Sequence, residues 1–97
     1  MIDYNDAEDI LHKALYKWGE ELQADVAIEE FSELIQKLIQ FKRGRVSETE
    51  VLEEIVDSYI MLQQLKIIFD HYKENEPDFD EFFERKMLRL ENRINDL

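Results

Sequence analysis

Ile28-Glu29-Glu30-Phe31-Ser32-Glu33-Leu34-Ile35 and Leu52-Glu53-Glu54-Ile55-Val56-Asp57-Ser58-Tyr59-Ile60 decide how this chain folds. Apolar residues recur in both stretches at three- and four-residue spacing, the period of one helix face. Each stretch also sets a carboxylate pair within its apolar pattern, Glu30/Glu33 and Glu54/Asp57. Residues three apart on a helix project from the same side, so each pair points one way.

Upstream of the first stretch the same period continues through Ile10, Leu11, Ala14, Leu15, Trp18, Leu22, Val26 and Ala27. A single helix from Asp6 to Lys42 would be about 55 Å long at 1.5 Å per residue, long for so small a domain. Gly19 is the poorest helix former inside the pattern, so two helices are expected, about 6–18 and 20–42. Lys42-Arg43-Gly44-Arg45 ends the second. Its cations suit a helix C-terminus, and Gly44 can adopt a left-handed cap. Ser47-x-x-Glu50 has the form of a capping box and opens a third helix, expected to run from 48 to about 72. Lys73-Glu74-Asn75-Glu76-Pro77 is a polar connection. Asp78 is a good N-cap for a fourth helix over 79–95. Phe79, Phe83, Met87, Leu90 and Ile94 line one side of that helix. The expected architecture is all-α, an antiparallel four-helix bundle within one domain, residues 1–97, completed by oligomerisation.

Composition bounds the function. The chain has 97 residues, 44% of them apolar, with two glycines, one proline and a net charge of −12. A domain this short buries a low fraction of its surface and is marginal alone. The charge disfavours nucleic acid and anionic membrane surfaces as partners. An anionic ligand would need a bound cation or a local Lys/Arg patch. Without cysteine there is no disulfide or thiolate chemistry. Met1-Ile2-Asp3-Tyr4 lacks a basic and apolar leader pattern, and no apolar run reaches membrane-spanning length, so the cytoplasm is the expected location.

The short connection around Gly44 makes the second and third helices antiparallel neighbours. Both acidic pairs lie at comparable distances from it, so Glu33 and Glu54 can face each other. Four carboxylates converging in a poorly solvated space repel one another, and a divalent cation relieves this. An all-oxygen set without His or Cys suits Mg²⁺, with Mn²⁺ as a substitute. Mg²⁺ commonly shares oxygens with substrate phosphates, polarising them and stabilising a leaving pyrophosphate. In a chain this rich in Glu, E-x-x-E spacing also arises by chance on solvated faces. Two pairs at matched heights on neighbouring helices are the distinguishing feature.

Trp18-Gly19-Glu20-Glu21-Leu22-Gln23, Glu29-Glu30-Phe31-Ser32-Glu33 and Glu54-Ile55-Val56-Asp57 together resemble the MazG family of all-α nucleoside triphosphate pyrophosphohydrolases, over about residues 11–69. The family motif is E-E-x-x-E followed about twenty residues later by E-x-x-D. The resemblance implies Mg²⁺-dependent hydrolysis of a (deoxy)nucleoside triphosphate to monophosphate and pyrophosphate. It implies Glu30, Glu33, Glu54 and Asp57 as metal ligands. Glu29 is placed beside them in catalysis, as an outer partner or in holding water. It further implies assembly as a homodimer or homotetramer. Ser58-Tyr59 departs from the smaller aliphatic residues common after the motif's last acid, and the short chain leaves few residues for base recognition.

Further candidates each have a plainer alternative. Trp18 can stack on a base or fill a core or interface. Gln23 and Lys37 extend the Glu30/Glu33 face, and Lys37 can meet a phosphate or simply pair with an acid. Lys86, Arg89 and Arg93 form a basic stripe suited to a triphosphate or to salt bridges with acids on other helices. His12 and His71 have no partner set and no assigned role. Two other functions compete with hydrolysis. A carboxylate-bridged di-iron or di-manganese bundle would supply Glu-x-x-His pairs, and none is present. A non-catalytic acidic helical interaction protein would turn its acids to solvent.

Overall fold

The computed structural model describes residues 1–96. Four helices follow in order: α1 (Tyr4–Trp18), α2 (Glu20–Lys42), α3 (Glu48–Phe69) and α4 (Phe79–Asn95), with no strand among the described residues. No helix is long and apolar enough to cross a membrane.

Each boundary has a local cause. α1 begins two residues before the expected start, because Asp3 caps it: its carboxylate accepts from the Asp6 N–H at 2.8 Å. Gly19 separates α1 from α2 with φ 87° and ψ 156°, a region essentially closed to residues with a Cβ. Gly44 takes the expected left-handed conformation, φ 71°. Ser47 and Glu50 form the reciprocal capping box, both bonds 3.2 Å. Replacing Ser47 with Ala should lower stability by about 1 kcal/mol, read as an earlier urea midpoint. An unmoved midpoint would show that water serves these N–H groups equally well.

α3 ends at Phe69 rather than near Tyr72. Asp70 is the reason: its carboxylate accepts from the backbone N–H of Phe79 at 3.0 Å and ties the end of α3 to the start of α4. Asp78 caps α4 through the Glu81 N–H.

α2 and α3 form the body of the molecule and α1 packs against both. Along α2 the shielded positions include Gln23, Ala27, Glu30, Leu34 and Lys37; along α3 they include Val51, Glu54, Ser58, Met61, Leu65 and Ile68. Both series alternate steps of three and four, the seam of two helices packed side by side. The register is set where Ser58 Oγ donates to the Glu30 carbonyl at 3.4 Å. It runs antiparallel and brings Ala27 opposite Met61 and Leu34 opposite Glu54. Small side chains let the helices approach: Ala27 is 1% exposed and Ser58 3%. α1 contributes the partly shielded stripe Ala7, Leu11, Ala14 and Leu15.

The all-α architecture of four helices is as expected, and the fourth helix is where the bundle stays open within one chain. α4 stands off the three-helix body and buries no residue of its own. A four-helix bundle is therefore not completed within one chain.

Candidate metal centre

Two of the seam positions that packing would normally fill with apolar side chains hold Glu30 and Glu54. Glu33, one turn along α2 from Glu30, approaches from the more exposed side. One carboxylate oxygen from each of Glu30, Glu33 and Glu54 lies within 4.8 Å of the other two. Oxygens bound to one Mg²⁺ at about 2.1 Å lie at most about 4.2 Å apart, so small side-chain rotations bring these three onto a single ion.

The electrostatics are unfavourable without a compensating charge. Oε2 of Glu30 and Oε2 of Glu54 are enclosed, with no hydrogen-bond partner. Burial, then Glu33, Asp57, Glu54 and Glu29, raise the pKa of Glu30 above the usual carboxylate value. Burial, then Glu33 and Asp57, raise that of Glu54, opposed by Lys37 and reinforced by Glu53. Among the described residues no cation forms a salt bridge with these carboxylates; the ion pairs present are Lys73–Glu76 and His12–Glu8. An enclosed carboxylate oxygen without a partner costs free energy that a proton or a cation offsets. The donor set fits a hard divalent cation: three carboxylates converge, two of them with an unused enclosed oxygen.

Asp57 stands outside the triangle but close enough to raise the pKa of both half-buried acids. Glu29 acts on Glu30 in the same way. Glu29 and Glu33 each lie one residue before a shielded α2 position or one before the next, and Asp57 precedes Ser58 on α3. These flanks of two antiparallel helices share one side, giving the pair an acidic face with Glu30 and Glu54 at its base.

The other candidates are dispersed. Lys37 is partly shielded and acts on Glu54 without forming an ion pair. Gln23 is buried, about two turns from Glu30, where the seam places it near Gln64. It belongs to the packing of α2 on α3 rather than to an open site. Trp18 is 52% exposed at the end of α1, across the Gly19 break from the helix that carries Glu30, with Lys17 Nζ 5.3 Å above its ring. Lys86 and Arg89 are exposed on α4, which this chain does not fold back over the carboxylates. A groove of about 380 Å³ runs between α1 and α3, bordered by Tyr4, Leu11, His12, Tyr59 and Lys66. None of the clustered acids lines it, so it is separate from the metal centre.

Ser58 is a site residue that the sequence marked only as a departure from a family pattern. Its small hydroxyl fits the closest approach of α2 and α3 and pins the helix segment that carries Glu30. The available signal was a small polar residue inside an otherwise apolar run.

Comparison with protein-family models, curated proteins and solved structures returns no match for this chain.

Proposed function

We propose that this protein is a Mg²⁺-dependent hydrolase that cleaves a (deoxy)nucleoside triphosphate to the monophosphate and pyrophosphate. The observation behind this is the convergence of Glu30, Glu33 and Glu54 with two enclosed, unpartnered carboxylate oxygens. The nucleotide class rests on the order of acids along the chain, Glu29-Glu30-x-x-Glu33 then Glu54-x-x-Asp57, which resembles the MazG motif. Glu30, Glu33 and Glu54 would hold the ion, with Asp57 beside them as a further ligand. A bound divalent cation neutralises phosphoryl oxygens and stabilises the leaving pyrophosphate. Glu29, next to Glu30 along α2, would hold the attacking water and accept its proton. The site needs the cation for binding as well as chemistry, because a polyphosphate would otherwise meet five carboxylates.

Incubation of the protein with Mg²⁺ and a panel of nucleoside triphosphates should release pyrophosphate and monophosphate in equal amounts. Orthophosphate as the product, or no turnover across the panel, rejects the proposal. A non-catalytic acidic interaction protein accounts for the exposed apolar residues of α4, Phe83, Met87, Leu90 and Ile94. It gives no reason for placing Glu30 and Glu54 at seam positions.

A further inference from the structure

Building on the proposed hydrolysis, we infer that Lys37 receives the outer phosphates of the substrate, so that the polyphosphate lies from the carboxylates towards the α2–α3 turn. Positive charge is unevenly placed along this helix pair. From Leu34 to Ser47 there are four bases, Lys37, Lys42, Arg43 and Arg45, and no acid, in a chain of net charge −12. That segment begins directly after Glu33. In the other direction, between Lys17 and Lys37, there are six acids and no base. α3 has no base before Lys66. Glu48 and Glu50 open α3 at the turn end, and Glu50 is occupied by the capping box. Four bases still face only these two acids from Leu34 to Leu52. An anion brought to the carboxylates by a cation therefore meets attraction on the turn side and repulsion on the other.

Within this patch Lys37 is the base on the carboxylate side. It lies four residues past Glu33 and seven past Glu30, so the three share a helix face. In the register that sets Leu34 opposite Glu54, Lys37 lies opposite Val51, about one turn nearer the Gly44 connection. Long side chains on a helix lean towards its N-terminus, which for Lys37 is the direction of Glu33 and Glu54. The residue is half-buried, an arrangement in which the stem lies along the helix pair and the ammonium reaches the rim. Its charge opposes the rise in the Glu54 pKa, so it acts on the centre. Yet it forms no salt bridge: among the described residues the ion pairs are His12–Glu8 and Lys73–Glu76. A lysine held beside converging carboxylates and bonded to none of them keeps its three N–H donors for a ligand.

The four-residue step from Glu33 to Lys37 is about 6 Å along α2. A cation at the carboxylates takes the nearer phosphate oxygens, and Lys37 takes those one turn further on. The nucleoside then points the opposite way, towards Ser58 and α1. Pyrophosphate reaches Lys37 in this arrangement and the monophosphate does not.

Calorimetric titration without turnover tests this. The probes are Mg²⁺ alone, then inorganic pyrophosphate with Mg²⁺, then the monophosphate of the triphosphate that the panel turns over, also with Mg²⁺. Lys37→Gln should weaken pyrophosphate binding at least about tenfold, the loss of one charge-assisted hydrogen bond. It should leave the monophosphate unchanged and bind Mg²⁺ alone as tightly as the wild type or more tightly, because a competing cation is gone. Lys37→Arg, which keeps the charge, should recover most of the pyrophosphate affinity. Lys13→Gln makes the same charge change on an exposed part of α1 and should have less than about a threefold effect, since distant exposed charges are screened. Equal effects of Lys37→Gln and Lys13→Gln on pyrophosphate, or a loss confined to the monophosphate, overturn the inference and leave the hydrolase proposal standing. Loss of Mg²⁺ binding by Lys37→Gln would make Lys37 a packing residue and also overturns it. A wild type that does not bind Mg²⁺ overturns both.

Discussion

Glu33→Gln should reduce Mg²⁺-dependent pyrophosphate release at least about 100-fold while leaving the helical fold intact. Outer-shell partners of a metal ligand already cost about 10- to 100-fold when removed, and the proposed function makes Glu33 a ligand itself. Its side chain is exposed, so the amide meets no packing conflict. Glutamine keeps the shape and removes the charge, which separates metal binding from structure. The loss should appear as a higher Mg²⁺ midpoint as well as lower turnover. Glu53→Gln is the control, because Glu53 is exposed on α3 next to Glu54 yet supplies no oxygen to the triangle. It should change turnover by less than about threefold, since single exposed charges are weakly coupled through water. Equal effects of the two substitutions would indicate that net charge, rather than the triangle, governs activity.

Much of the fold was legible because helix signals are local. Gly19, the Ser47/Glu50 box and Asp78 act within one turn of themselves, and the structure places a helix boundary at each. Two boundaries were misplaced for opposite reasons. Asp3 caps α1 from outside the apolar pattern, so periodicity alone starts the helix late. Asp70 ends α3 by bonding a residue nine positions away, which no local window reveals. The stand-off of α4 is also nonlocal. Its stripe shows that it needs an apolar partner, but a stripe does not say whether the partner belongs to the same chain.

The site was legible to a similar depth. Pairing Glu33 with Glu54 required only an antiparallel hairpin and equal distances from Gly44, and the structure brings Glu30, Glu33 and Glu54 together. Asp57 was grouped with them by spacing, but the packing leaves it on the rim. Trp18, Lys86 and Arg89 were candidates by residue type, and residue type carries no information about position. Gln23 shows the converse: it lies on the predicted face of α2, yet two turns along that face the helices close over it.

Without divalent metal, the protein should lose stability as pH rises above 4.5, and Glu54→Gln should reverse part of that loss. Unfolded glutamates titrate near their ordinary value of 4.5, whereas Glu30 and Glu54 titrate above it in the folded state. Between those values the folded chain holds protons that the unfolded chain has released. Stability then falls with rising pH and levels off once the folded groups have ionised. The sign is opposite to that of a salt-bridged carboxylate, whose contribution is lost as pH falls. Repulsion across a chain of net charge −12 acts in the same direction. The comparison with Glu54→Gln isolates the site from that background: the variant should be the more stable protein in chelator at pH 8, and its advantage should shrink as pH falls towards 4.5. Mg²⁺ should invert the order, because it binds the folded wild type and raises its stability by about 2.7 kcal/mol at a hundredfold excess over Kd. The variant, lacking one ligand charge, should gain less at the same concentration. Melting curves at three pH values, with chelator and with Mg²⁺, measure all of this. A wild type that outlasts Glu54→Gln in chelator at pH 8 would mean that the enclosed carboxylates already have a partner within the protein. Burial and repulsion at the helix seam would then not be what draws a cation to this site.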